Sequence, residues 1–529
     1  MFPPSSTRFE SFGPAVRKAI IQRTPWALVL LLLAATALAQ TVSADFASRS
    51  GNTHSIPARM FGINAVNLQD PTTLTDILQA GITESRAMAD IPVVYASSEP
   101  DWNQFDWDMQ LLQNQGMHPL VTLLGSPSWL QPSTNPCKAA GSPAYNAPPT
   151  SNSQWAKIAA SYVAHLDANF PGLVHEFEIW NEPELQKSFC VASNTDAARL
   201  SEYLALYSAA ASAMRTQANK DGATIKIGGP VVSNFTLALE WIPALLSNSG
   251  TYPNVDFISY HMYLTGQPQI DDQMTWSQLY GFTQSTTRGE LLHYLQNLNL
   301  IRTGKQVNPK STPIYVTEFN DNWVFAQDCC RNNPTYGPLW NSVAIVDFLN
   351  TVYAGANSVP TKLFYFAGSA PPYFCIAGAW NSAMNCDSSS LDLYPQFFAY
   401  KLLASPNYLG LSQGGHMAQS VSPVNTQTGL LATAFYTSKQ DSFVIVNPGN
   451  TSDSSVTVIA HNPGYSTVEG TMYTLDQSNP RIASESVTWT KISNGFKATI
   501  TVPAHATVAV ILAPAKTAQT TTGASPIQH

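Results

Sequence analysis

Charge is scarce in this chain: Asp, Glu, Lys and Arg together make up 11% of its 529 residues, against about a quarter in an average soluble domain. The net charge is −8. There is no basic run and no ladder of alternating basic and aromatic residues, which argues against nucleic acid as a partner. A membrane-spanning run is lacking too, since the apolar stretch from Trp26 to Ala35 falls short of the roughly 20 residues that a span requires. Cysteine is limited to Cys137, Cys190, Cys329, Cys330, Cys375 and Cys386, and their spacings match no metal motif. What the chain does hold is aromatic residues, at 11%.

The short apolar run reads instead as a secretion signal. Arg17, Lys18 and Arg23 precede it, and Ala37, Leu38 and Ala39 supply small residues at the cleavage positions. The mature chain is expected to begin at Gln40, and no Cys follows the cleavage site to carry a lipid. In an exported chain, six cysteines favour disulfides over thiol chemistry. Fifteen pairings are open; Cys137 with Cys190 and Cys375 with Cys386 are two candidates, and the adjacent Cys329 and Cys330 are left unassigned.

From residue 60 onward, short apolar runs alternate with helical patterns. The expected strands cover 60–66, 83–88, 119–124, 174–180, 224–228, 255–260, 314–318 and 362–367. Between them, Trp155, Ile158, Ala159, Tyr162, Val163 and Leu166 fall on one helical face, and Leu291, Leu292, Leu295 and Leu298 do so more weakly. Eight β/α units, with enlarged loops over 131–153 and 264–288, predict an α/β fold: a (β/α)8 TIM barrel over residues 58–410. After residue 410 the pattern turns to short β-rich runs with turn signals at Asn447 to Asn450 and at Asn494-Gly495. An antiparallel β-sandwich is expected over 411–515, with the segment 40–57 able to add an edge strand. Residues 516–529 are polar and Thr-rich, and are expected to be disordered.

Two strand candidates end in carboxylates. His175 to Pro183 reads His-Glu-Phe-Glu-Ile-Trp-Asn-Glu-Pro, so that Glu182 follows a buried strand, and Pro183 disfavours α geometry there. The second run, from Pro313 to Asn320, contains Glu318, which lies 136 residues beyond Glu182. In a barrel, strand C-termini carry the active site. Paired carboxylates there suit glycosidic chemistry: one protonates the leaving oxygen, and the other attacks the anomeric carbon from about 5 to 5.5 Å away in retaining enzymes. Glu178 alternates with Phe177 and Ile179 and is expected inside the barrel as a network partner, not a catalyst.

Four segments carry a more specific resemblance. Trp180-Asn-Glu-Pro183 is similar to the acid/base motif of clan A retaining glycoside hydrolases, and Val316-Thr-Glu-Phe-Asn320 to their nucleophile strand. Lys226-Ile-Gly-Gly-Pro230 and Asp256-Phe-Ile-Ser-Tyr-His-Met-Tyr263 resemble the fifth and sixth strands of that clan. The combination is most similar to family 39, which contains β-xylosidases and α-L-iduronidases, over residues 58 to 405. The resemblance implies Glu182 as general acid/base, Glu318 as nucleophile, Tyr263 orienting the nucleophile, His261 lining the sugar site and Asn181 contacting the 2-hydroxyl. Arg86 is expected to pair with the nucleophile. The sequence departs from the pattern at strand three, which brings Trp129 but no His, and at strand eight, where Phe364, Tyr365 and Phe366 stand where a Trp platform is common. Trp323 and Trp380 are candidate replacements.

These observations predict a secreted or periplasmic hydrolase that cleaves β-glycosides of plant or microbial polysaccharides or oligosaccharides by double displacement. No metal or organic cofactor is implied, and the partner is a carbohydrate. The rivals are a non-catalytic carbohydrate-binding protein on a degenerate barrel, and an endo-glycanase or transglycosylase of the same clan. A neutral, xyloside-type sugar is favoured. A uronate needs a cation, for which Lys138, Arg288 and Arg331 are the loop candidates.

Overall fold

The computed structural model describes residues 40–47, 54–64, 71–265, 300–302, 305–307, 312–322, 336–353, 361–366, 379–380, 386–387, 395–422, 429–449, 452–476 and 481–515. The expected leader, the expected helix near Leu291, the C-terminal tail, Trp323, Arg288, Arg331, Cys329, Cys330 and Cys375 all lie outside the described residues.

Eight parallel strands close into a barrel: Phe61–Asn64, Glu84–Asp90, His118–Leu124, Glu176–Ile179, Lys226–Val232, Phe257–Thr265, Ile314–Asn322 and Thr361–Tyr365, numbered here as barrel strands one to eight. Each expected run holds one strand. Strands six and seven run on to Thr265 and Asn322, past the expected ends. Strand eight pairs back onto strand one, so no edge is left open.

Alternation of side chains sorts each strand into an inner and an outer face. Val121 and Leu123 of strand three and Phe177 and Ile179 of strand four point outward into the core shared with the helices. Leu120, Phe257, Tyr315 and Phe364 form a separate apolar layer inside the barrel. Room for it comes from two glycines: a Cβ on Gly62 would stand 2.3 Å from Phe364, and one on Gly228 would stand 2.1 Å from Phe257. At the N-terminal end of the barrel, the Lys362 ammonium pairs with Glu176 at 2.6 Å and also with Glu84, and Tyr315 donates its hydroxyl to Glu176 at 2.7 Å. Charged groups therefore plug the bottom, and the apolar layer separates them from the mouth.

The outer helices follow their sequence signals. Helix Asn152–Asn169 starts at Ser151, whose side chain accepts from the Gln154 amide, and it buries Trp155, Ile158, Ala159, Tyr162, Val163 and Leu166. Helix Asp196–Asp221 is capped by Thr195 and ends at Gly222, whose φ of 76° is a conformation that glycine adopts without strain.

The C-terminal part is a sandwich of two β-sheets. One sheet orders Gln419–Ser422, Thr41–Asp45, Asp453–His461, Gly495–Val502 and Thr490–Ile492. The other runs Ser55–Ile56, Gly415–Met417, Leu431–Tyr436, Asp441–Asn447, Ala506–Pro514, Val468–Leu475 and Ala483–Ser486. Thr41–Asp45 is not an edge strand: it pairs antiparallel with Gln419–Ser422 and parallel with Asp453–His461. Its inward Val42 and Ala44, with Phe46 just beyond, pack with Phe443, Ile445, Val458 and Val510 in the sandwich core. Helix Tyr336–Val352 is shared: its buried residues join barrel side chains with Leu431, Phe435 and Val444 in one core. A boundary drawn near residue 410 thus crosses continuous hydrophobic packing.

Candidate active site

Strand four carries the first carboxylate. Glu176 and Glu178 face inward, and regular alternation would place Trp180 inward as well. The chain instead turns at Trp180, where φ is 71°. The indole swings under the loop, packs on Phe189 and donates its N–H to the Ser188 carbonyl at 2.7 Å. Glu182 also has a positive φ, 48°, and its backbone N–H donates to the Val231 carbonyl of strand five at 3.1 Å. Two non-glycine residues held in the left-handed region mark a functional turn, because such strain persists only where the surroundings impose it.

Strand seven carries the second carboxylate, and its register decides where that group points. Tyr315 faces the barrel interior, so strict alternation would send Glu318 outward. A bulge intervenes: Val316 stands opposite Tyr260 and Glu318 opposite His261, leaving Thr317 as the extra residue. The bulge re-aims Glu318 into the barrel, beside the inward His261 and Tyr263. Tyr263 donates its hydroxyl to Glu318 Oε2 at 2.5 Å.

Arg86, on strand two, ties the constellation together. It is fully buried, and its guanidinium reaches Glu178 Oε2 at 2.7 Å, Glu318 Oε1 at 2.7 Å, Asn181 Oδ1 at 2.8 Å and Asn64 Oδ1 at 3.3 Å. Thr122 donates to Glu178 Oε2 at 2.8 Å. Burial opposes the charge on both partners of the Arg86–Glu178 pair. Mutual attraction prevails, holding the Arg86 pKa above its ordinary value and the Glu178 carboxyl below the usual carboxylate range. Asn181 has its oxygen engaged by Arg86, which fixes the amide with its NH2 group as the remaining donor.

Glu182 has the more open carboxyl of the pair, with a side chain 21% exposed against 8% for Glu318. Burial of the site raises its pKa, with Arg86 pulling the other way. His261 Nδ1 lies 2.8 Å from Glu182 Oε1 and 3.4 Å from Glu318 Oε2. Burial pushes the imidazole down to about 4, so it is neutral at neutral pH. Its Nδ1 then either donates to an ionised Glu182 or accepts from a protonated one, a shared proton suited to a group that gives up and retakes a proton in turn.

Glu184, which the sequence reading passed over, is buried two residues beyond Glu182. Its Oε1 accepts from the Ser233 backbone at 2.6 Å, the Ser233 hydroxyl at 2.9 Å and the Asn234 backbone at 2.9 Å. These bonds clamp the turn after strand four to the turn after strand five. Burial and then the neighbouring Glu182 charge raise its carboxyl to about 7. No local motif announces Glu184, because its partners come from another strand.

The remaining site candidates fare differently. Trp129 follows strand three, its indole N–H held by the Tyr95 carbonyl at 3.2 Å and its side chain 41% exposed. Trp380 lies in a two-residue strand, Ala379–Trp380, paired antiparallel with Cys386–Asp387. Phe364 is buried in the barrel's apolar layer, while Phe366 lies edge-on to Tyr263 with ring centroids 6.4 Å apart. Cys137 and Cys190 form a disulfide, one of the two pairings the sequence suggested. It joins the loop after strand three to the loop carrying Glu182. Asn146 donates its side-chain amide to the Lys187 carbonyl at 2.8 Å, and its own carbonyl accepts from the Cys190 amide at 2.9 Å.

Donor atoms of Glu182, His261 and Glu318 all lie within 4.8 Å of one another. Such a cluster has enough ligands for a cation, but both oxygens of Glu318 are engaged, one by Arg86 and one by Tyr263. The arrangement fits proton transfer and nucleophilic attack. A closed parallel barrel with one carboxylate on strand seven and its partner just beyond strand four, oxygens of the two within 4.8 Å, is the arrangement of a glycoside hydrolase of clan A. Residues 89–372 match the model of the family described as glycosyl hydrolases family 39. The chain belongs to that family. It is 29% identical over 179 residues to a β-xylosidase of Caldicellulosiruptor saccharolyticus, covering 33% of this chain and 31% of the relative. The chain thus spans about a third of the length of that curated relative. Among solved structures, a monomeric β-xylosidase from Caulobacter crescentus CB15 shares the fold at 14% identity and a TM-score of 0.58, over 90% of this chain and all of that one. The GH39 enzyme from Xanthomonas axonopodis pv. citri does so at 14% identity and 0.61, over 90% of this chain and 98% of that one.

Proposed function

We propose that the protein is a secreted β-glycosidase acting on xyloside-type substrates with retention of anomeric configuration. The observation that carries this reading is the placement of Glu182 and Glu318 oxygens within 4.8 Å of each other. So close an approach supports direct carboxylate attack, as in a retaining enzyme, over the wider separation that an inverting enzyme keeps for water. Glu318, aligned by Arg86 and Tyr263, attacks the anomeric carbon while Glu182 protonates the leaving oxygen. The glycosyl–Glu318 ester then breaks as Glu182 takes a proton from water, which attacks the same carbon. Asn181 donates to the hydroxyl beside the reacting carbon. The likeness to a β-xylosidase and the scarcity of cations support a neutral pentose, and the leader-like N-terminus together with a disulfide supports export.

The test is a screen of the disulfide-intact protein on aryl β-xylosides, glucosides, galactosides and glucuronides, beside Glu318→Ala with azide. Turnover that is lost in the variant and returns with azide as a glycosyl azide of inverted configuration supports the mechanism. Sugar binding without turnover, equal in wild type and Glu318→Ala, replaces it with a carbohydrate-binding role.

A further inference from the structure

Among the described residues, five large hydrophobic side chains stand well exposed: Met88 at 40%, Val93 at 58%, Trp107 at 42%, Trp129 at 41% and Tyr145 at 39%. All five fall between residues 88 and 145, on the end of strand two, the turns and helix after it, and the loop after strand three. A soluble protein seldom gathers its exposed apolar groups in one region unless something binds there.

These groups follow one another closely along the chain, and Met88 and the Tyr145 loop lead toward the site. Met88 lies two residues beyond Arg86 on the same strand, so it faces the same side about 7 Å nearer the barrel mouth. Val93 and Trp107 share an open crevice of about 420 Å³ with Asp101, Asn103 and Gln104. Trp129 is fastened to the Tyr95 carbonyl. The ring of Tyr145 lies near Pro92 across Gly125, and its carbonyl accepts from the Ser126 amide at 2.8 Å. The disulfide between Cys137 and Cys190 anchors the Tyr145 loop to the turn bearing Glu182. Aromatic faces held in place by backbone bonds are preorganised, so ligand binding orders little more of the chain.

We propose that this strip is an extended binding surface for the sugar units that flank the cleaved bond, and that the natural substrate is a neutral β-linked oligosaccharide or polysaccharide. The inference rests on the glycosidase reading of Glu182 and Glu318 and deepens it. Sugar rings present apolar C–H faces to indole and phenol rings and hydroxyl edges to amides and carboxylates. Asp101, Asn103 and Gln104 supply those polar edges, and the crevice holds no Lys or Arg to select an acidic sugar.

The experiment combines Trp107→Ala and Tyr145→Ala, both surface changes, with melting temperature as a check on folding. kcat/KM is measured on β-1,4-xylo-oligosaccharides of two to six units, and mobility is measured in native gels containing arabinoxylan, mixed-linkage glucan or hydroxyethylcellulose. The wild type is expected to gain about tenfold in kcat/KM from dimer to hexamer, equivalent to one well-stacked ring. The double variant is expected to lose most of that gain and to run unretarded in the gel that slows the wild type. Equal chain-length dependence in the two proteins, or a wild type that prefers the dimer, overturns the proposal. If no xyloside is cleaved, the glycosidase reading fails separately, and the gels decide: retardation that the double variant loses supports the surface, and retardation in no gel or equally in both proteins refutes it.

Discussion

Replacing Arg86 by Met tests the central inference that one buried cation organises both carboxylates. The guanidinium holds Glu178 and Glu318 at 2.7 Å each and orients Asn181. Met fills similar volume but leaves the Glu178 carboxylate buried without its cation, beside the hydroxyls of Thr122 and Ser259. Breaking a buried pair from one side costs about 3–5 kcal/mol. For a unit of this size that is roughly 3–5 °C in melting temperature, since unfolding entropy amounts to about 1 kcal/mol per degree. The sign of the pH dependence is the sharper test. In the wild type the Glu178 pKa is depressed, so its stabilising contribution is present above the unfolded carboxyl value of about 4.3 and is lost as pH falls through the lower folded value. In the variant, burial loses its largest counterweight, the Arg86 charge, and raises that pKa. The contribution is then present below about 4.3 and is lost as pH rises through the raised folded value. The gap in melting temperature between wild type and variant is therefore expected to widen from pH 5 to pH 8, and Glu178→Gln added to the variant should recover part of it. Differential scanning calorimetry across that range decides the matter. A loss under 1 °C, or a gap that narrows toward alkaline pH, refutes the argument.

Tyr263→Phe removes a hydrogen bond to a charged carboxylate, worth about 1.5–3 kcal/mol, and should lower kcat roughly 10- to 100-fold, with a drop in melting temperature of no more than about 3 °C. Glu184→Gln removes a carboxyl that titrates near 7 beside the proposed acid. Because like charges raise each other's pKa, the alkaline limb of the kcat/KM profile should move to lower pH, and an unmoved limb would leave Glu184 a purely structural clamp. Opening the disulfide with Cys137→Ala and Cys190→Ala frees a loop with a sequence separation of 53. Loop entropy puts that at about 4 kcal/mol, measurable as a drop of roughly 4 °C against the wild type.

The primary sequence determined a good deal of this molecule, wherever the governing physics is local. Eight apolar runs separated by helical patterns are a property of neighbouring residues, and they announced the barrel. Trp180 to Pro183 marked a strand ending in chemistry, and helix Asn152–Asn169 kept the face its spacing predicted, down to the buried Trp155 and Leu166. Tertiary structure decided whatever depends on groups distant in the chain. The bulge at Thr317 turns Glu318 inward, and it exists only as a register between strands six and seven. Arg86 meets four partners from three other strands and their turns, and Glu184 is held by residues 49 and 50 positions further on. Thr41–Asp45 finds a place inside a sheet because its neighbours come from residues 419–422 and 453–461. Periodicity states which face of a strand is apolar; only closure of the barrel states which carboxylates share it.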